Sequence, residues 1–180
     1  MHNKIPTKFY FINSFKKNNI DNLENNTAII YRNYKKKLNI KEIVKIKKYC
    51  SKKKIKFILS NNLKIALSLR LDGAYIPSFK KDLKHLNYNF KSNFLLIGSA
   101  HNLKEVRIKE KQKVKLIFIS SLFKKNKNYL GIYKFINLSS LTEKLIIALG
   151  GISKSNEKKL KMLNCYGFSG ISYFEKKRPL

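Results

Sequence analysis

The feature that most constrains this chain is a series of short apolar runs at near-regular intervals: FYFI (9–12), AIIY (28–31), KFIL (56–59), GAYI (73–76), FLLIG (94–98), VKLIFI (114–119), LIIAL (145–149) and GISYF (170–174). Several are continuous rather than alternating, which is how strands read when a parallel sheet is covered on both faces. Helical spacing appears between them. LNIKEIVKIKKYCSKK (38–53) repeats Ile40, Ile43, Val44 and Ile46 or Lys47, and NNLKIALSLRL (61–71) repeats Leu63, Ala66, Leu67 and Leu71. HNLKEVRIKEK (101–111) opens with Asn102 as an N-cap and Glu105 three residues on, a loose capping box. SKSNEKKLKMLN (153–164) offers Ser153 or Ser155 as a cap, with Leu160 and Leu163 to bury.

Strands alternating with helices predict βα units with right-handed crossovers, and eight such units predict closure. The expected fold class is therefore α/β, a (β/α)8 TIM barrel forming a single domain over residues 1–180. Such barrels usually run to about 250 residues, so this one is trimmed. Residues 13–26 and 77–92 offer only short or irregular helix, and only EKKRPL follows Phe174, so the last outer helix is expected to be lacking. The alternative, an open doubly wound sheet, would need fewer strands.

The formal charge of +30 first suggests nucleic acid, because a basic face gains affinity by displacing counterions from phosphates. Two details argue against it. Only Arg32, Arg70, Arg107 and Arg178 of the forty basic residues are arginine, the side chain whose planar fork suits base and phosphate recognition. The lysines also run along the whole chain with many asparagines and isoleucines, as an A+T-rich coding sequence would give. Cys50 and Cys165 lie far apart with no metal-like spacing, and FYFIN is too short for a signal-peptide core or a membrane span. A cytoplasmic protein with reduced thiols and no membrane is expected.

In a barrel of this kind ligands bind at the C-terminal strand ends, and phosphate commonly at the loops after strands seven and eight. Gly150 and Gly151 follow the seventh run, with a helix expected near Lys154. Their freed N–H groups could hold a phosphate; the bland alternative is a turn. Arg32 follows strand two, Asn61 and Asn62 strand three, Ser99 and His101 strand five, and Ser120 and Ser121 strand six. For His101 an ordinary surface or capping role is the simpler reading.

In order and spacing, the segments IIYRNY (29–34), ILSNNLKIALSLRLDGAYI (58–76), GSAHNLKEV (98–106), FISSLFKKNKNYLG (118–131), IALGGISKSN (147–156) and GFSGISYF (167–174) resemble the thiamine-phosphate synthase and thiazole tautomerase superfamily. The resemblance implies a phosphate-binding barrel of thiamine biosynthesis. Family synthases join a pyrimidine pyrophosphate to a thiazole phosphate and release pyrophosphate with the help of magnesium. It further implies that Arg32, Asn61 and Lys127 bind the pyrophosphate, that Ser99 meets the reacting groups, and that Gly150 and Gly151 hold the thiazole phosphate; Ser99 and His101 fit the family's serine and histidine.

The departures are specific. The family's metal-binding aspartate after strand three is Asn62, and the second, after strand four, is met only by Asp82, displaced in register. Ile30 and Tyr34 stand for a glutamine and a lysine, Ser121 for the histidine of the tautomerase branch, and Glu175 aligns with the serine that meets phosphate at the end of strand eight. A magnesium ion at Asp82 is thus the weakest element of the expected site. The expectations are a synthase-like enzyme on phosphorylated small molecules or, failing catalysis, a barrel that binds a phosphorylated metabolite. Uncovered apolar surface outside strand eight would favour a homodimer.

Overall fold

A computed structural model describes residues 5–35 and 37–175. Eight parallel strands close a barrel in sequence order: β1 (Lys8–Ile12), β2 (Thr27–Tyr31), β3 (Lys56–Ser60), β4 (Gly73–Ile76), β5 (Leu95–Ala100), β6 (Leu116–Ile119), β7 (Leu145–Leu149) and β8 (Gly167–Ser169). The expected TIM barrel is present. Its outer elements are α1 (Lys17–Asp21), α2 (Ile40–Lys52), α3 (Leu63–Ser68), α4 (Leu103–Lys111), α5 (Gly131–Ser140) and α6 (Ile171–Phe174), with turns of 3₁₀ helix at Lys84–Asn87 and Glu157–Met162. Among the described residues no helix is long and apolar enough to cross a membrane.

The continuous apolar runs divide their side chains between two layers, as a strand period of two requires. Phe9, Phe11, Ile58, Tyr75, Ile97 and Phe118 belong to the barrel interior; Tyr10, Ile29, Leu59, Ala74 and Leu96 belong to the layer beneath the helices. The interior centres on four rings. Phe118 meets Phe9, Phe11 and Tyr75 edge-on at centroid distances of 5.1, 5.9 and 5.5 Å, which fills the lumen as a packed core.

Strand eight corrects the sequence reading. GISYF does not form the strand; the three residues GFS do, with Lys8 and Phe9 opposite Phe168 and Ser169 on one side and Ile147–Leu149 on the other. Ser169 Oγ donates to the Phe9 carbonyl at 2.7 Å across the closing seam. GISYF instead supplies Gly170 and the single turn α6. The outer face of β8 is also covered: Phe168 is 8% exposed under Tyr173, whose ring packs edge-on at 4.8 Å. The bare outer face of strand eight on which the expected homodimer rested is therefore not found. Of the EKKRPL tail only Glu175 falls among the described residues.

Two helices differ from expectation. Residues 153–164 form only the 3₁₀ segment Glu157–Met162, without a side-chain cap, while Ser153 and Ser155 bond each other at 2.8 Å. Helix α5, not expected from the sequence, spans GIYKFINLSS and buries Phe135 and Leu138.

Candidate functional site

The C-terminal strand ends gather one polar cluster inside the barrel. Arg32 continues the inward register of Ala28 and Ile30, its N–H donates to the Ile12 carbonyl at 2.8 Å, and its guanidinium lies 4.2 Å from the Phe11 ring centroid. Stacking on an aromatic face fixes the plane of the fork while leaving its edge N–H groups for an anion. Tyr34, two residues on, bonds Ser60 Oγ through its hydroxyl at 2.7 Å; burial raises its pKa, with Ser60 and Arg32 opposing. Tyr75 is pushed up to about 12, again chiefly by burial and with Ser99 opposing, so this phenol is a neutral donor. Ser99, 5% exposed, completes the group from β5.

Asn61, Asn62 and Asp82 come together elsewhere. They line a cavity of about 260 Å³ with Lys64, Lys80 and His85. Its wall includes Ala74 and Ile76, which face the outer layer, so the cavity lies on the outer flank of β4. Asn62 Oδ1 accepts the Ile65 N–H at 3.1 Å and thereby caps α3. Asn61 sits at φ 58° and donates its N–H to the Tyr75 carbonyl at 2.8 Å.

Magnesium prefers oxygen ligands arranged octahedrally, usually with one or two carboxylates. Here the single candidate, Asp82, pairs with Lys80 Nζ at 3.0 Å and accepts the Lys84 N–H at 3.3 Å, and its carboxyl is held below the usual range by Lys80 first. The other aspartates are engaged outside the mouth: Asp21 with Tyr49 and Lys53, and Asp72 with the Phe57 N–H. Among the described residues no group of three His, Cys, Asp or Glu could hold a metal ion. The residues present do not fit a magnesium site.

His101 is held in place rather than free: Glu105 Oε2 accepts both its backbone N–H at 2.8 Å and Nδ1 at 2.9 Å, while Asn102 Oδ1 accepts the Glu105 N–H at 3.0 Å. The capping role expected of Asn102 and Glu105 is present, with the carboxylate reaching the residue before the cap. Lys127 stands exposed in the loop after β6.

Gly150 and Gly151 lie across the barrel from Asn62 and Asp82, with φ of +107° and +77°. What approaches them closely is the chain itself. A Cβ on Gly150 would come within 2.4 Å of Ser121 Oγ, and one on Gly151 within 2.7 Å of Lys124 N. The Gly150 carbonyl accepts the N–H groups of Phe123 at 2.8 Å and Lys124 at 3.2 Å. No α-helix begins near Lys154, so no helix dipole acts there. Instead Asn156 shapes the loop, donating Nδ2 to the Gly151 carbonyl at 2.8 Å and accepting the Ser153 N–H at 2.9 Å.

The loop after β8 abuts this one, since a Cβ on Gly170 would reach within 2.5 Å of the Ile152 carbonyl. Gly151, Ile171 and Ser172 are exposed there, and their N–H groups bond no backbone carbonyl among the described residues. Ser172, in the first turn of α6, thus lies closer to the end of strand eight than Glu175 does. Glu175 accepts from the Tyr10 hydroxyl at 3.1 Å on the outside of β1, so its charge does not face the mouth.

A closed parallel barrel with a stacked arginine at its mouth, and with N–H groups after β7 and β8 that bond no backbone carbonyl among the described residues, defines a (β/α)8 scaffold. The family described as thiamine monophosphate synthase matches residues 21–174, and the chain belongs to that family. The thiamine-phosphate synthase of Pelagibacter ubique is 27% identical over 198 aligned positions, covering 99% of this chain and 95% of that protein. The thiamine-phosphate synthase of Prochlorococcus marinus (MED4) is 32% identical over 130 residues; that match covers 68% of this chain but 36% of the relative's length. Among solved structures, the thiamine phosphate pyrophosphorylase from Pyrococcus furiosus shares the fold with a TM-score of 0.75 at 18% identity, covering 94% of this chain and 87% of that one.

Proposed function

We propose that this protein is a thiamine-phosphate synthase that works without the family's metal carboxylates, joining a pyrimidine pyrophosphate to a thiazole phosphate and releasing pyrophosphate. The observation that carries the reading is the Arg32 guanidinium fixed on Phe11 at the barrel mouth, in a chain that belongs to this family. Carbon–nitrogen bond formation proceeds as the bond to pyrophosphate breaks, so negative charge grows on the departing group. A preoriented cation placed there stabilises that charge more in the transition state than in the ground state. Arg32 takes this role, with Tyr34 and the Tyr75–Ser99 pair as neutral donors, and Lys127 adds charge from the rim. The N–H groups of Gly151, Ile171 and Ser172 take the thiazole phosphate.

Incubating the purified protein with both precursors, in buffers with magnesium and with EDTA, tests the reading. Thiamine phosphate is expected in both arms; none at any protein concentration overturns it. That no group of three His, Cys, Asp or Glu among the described residues could hold a metal ion also favours a second reading, a barrel that binds a phosphorylated metabolite without turnover. In that case calorimetry with thiazole phosphate gives saturable binding while the assay stays blank.

A further inference from the structure

Among the described residues, the most deeply buried charged side chain lies outside the cluster described above. Lys109 on α4 is 0% exposed, with its stem so close to β5 that a Cβ on Gly98 would come within 2.7 Å of its Cδ. Its ammonium has three donors and meets three acceptors: the carbonyls of Pro77 at 2.8 Å and Lys80 at 2.9 Å, and Gln112 Oε1 at 2.8 Å. None is a carboxylate. Gln112, equally buried, donates to the carbonyls of Lys80 at 3.1 Å and Asp82 at 2.7 Å, and its own carbonyl is met by His85 Nε2 at 2.8 Å. A cation taken out of water is costly unless its bonds are made, so this lysine is spent on holding one segment of backbone.

That segment is a turn, closed by Lys80 N–H to the Pro77 carbonyl at 3.1 Å, and Lys109 grips both of its ends. Between them projects Phe79, 60% exposed, whose ring meets that of Tyr34 edge-on at 5.7 Å. Tyr34 in turn is bonded to Ser60 at the mouth beside Arg32. An unbroken chain of contacts runs from a buried ammonium to the rim of the site.

We propose that Lys109 is a positioning residue: through the Pro77 and Lys80 carbonyls it holds Phe79 against Tyr34, and this aromatic rim closes over the ring-bearing end of the pyrophosphate substrate. The inference rests on the synthase reading for the identity of that substrate, but the anchoring of the turn does not.

Phe79→Ala, at an exposed position, keeps the fold and is expected to raise KM for the pyrimidine pyrophosphate about tenfold with kcat within about twofold. Lys109→Met is expected to raise KM by a similar factor, and the double variant to be no worse than Phe79→Ala alone, because the two residues act through one contact. A merely structural lysine would lower kcat or melting temperature while its effect on KM multiplied that of Phe79→Ala. Unchanged KM in Phe79→Ala overturns the proposal by itself, even if Lys109→Met does not fold. Trypsin separates the anchoring of the turn from the identity of the substrate. Cleavage after Lys80 and Lys81 is expected to be about tenfold faster in Lys109→Met than in the parent chain, as loss of local protection predicts. Unchanged cleavage sinks the anchor, whereas a parent chain that makes no thiamine phosphate sinks the synthase reading and leaves the cleavage result standing.

Discussion

The amide nitrogen of Lys124 stands where a Cβ on Gly151 would come within 2.7 Å of it, so the glycine pair after β7 is first of all a contact between neighbouring loops. Left-handed backbone and close approach both exclude a side chain here. Gly151→Ala should therefore lose about 2 to 3 kcal/mol of stability by urea titration, through strain at positive φ plus the displaced loop. Gly151→Asp should in addition abolish binding of thiazole phosphate in calorimetry. Unchanged stability in both variants would show that the loop tolerates side chains.

Arg32 gives a test that needs no turnover. Because its plane is set by Phe11, Arg32→Lys keeps a charge but loses the fork, and should weaken inorganic pyrophosphate binding about tenfold; Arg32→Ala should weaken it about a hundredfold. Melting temperatures should stay close to the parent. Equal affinity in all three proteins would remove Arg32 from the site.

Burial holds Lys109 at about 8, well below 10.5, with Glu105 and Asp82 opposing and His85 close by on Gln112. Between pH 8 and 10.5 the unfolded chain binds the extra proton and the folded chain does not. The cost of the buried charge is thus complete below pH 8 and fades as pH rises, so this group adds stability on the alkaline side. Urea midpoints at pH 7.5 and 9.5 should show the parent gaining on the order of 1 to 2 kcal/mol relative to Lys109→Met. A parallel pH dependence in the two proteins would contradict it.

Thiol chemistry should divide the two cysteines. Burial, helped by Asp72, pushes Cys50 up to about 12, and burial also raises Cys165, which is only half-buried. Reactivity follows the thiolate. Ellman's reagent at pH 8 should label Cys165 slowly and Cys50 only after unfolding, as peptide mapping would confirm; fast native labelling of Cys50 would contradict the packing under α2.

Seven of the eight strands were legible because a strand buried on both faces writes itself as a continuous apolar run. β8 was not, since Gly167–Ser169 is three residues with one large side chain, while the adjacent GISYF has strand-like composition yet folds as a turn of helix. Helix α5 was hidden by Gly131 at its start and by Ser139 and Ser140 at its end. The placing of Arg32, Ser99 and the glycines at the C-terminal strand ends was readable from the apolar runs, and the capping pair Asn102–Glu105 from spacing. Phe79 and Lys109 were not, because both break the expected pattern: an apolar ring in an exposed loop, and a lysine among so many. The one signal for Lys109 was its place three residues after Val106 and three before Gln112, on the stripe that α4 buries.

The four interlocked rings at the barrel centre have a consequence for traffic. With Phe9, Phe11, Tyr75 and Phe118 packed edge to face, no passage runs through the molecule, and the mouth is both entrance and exit. Whatever settles deepest must arrive first and leave last. A ligand bound at the strand ends therefore cannot be displaced from behind; only the loops that ring the mouth can bar its way or release it.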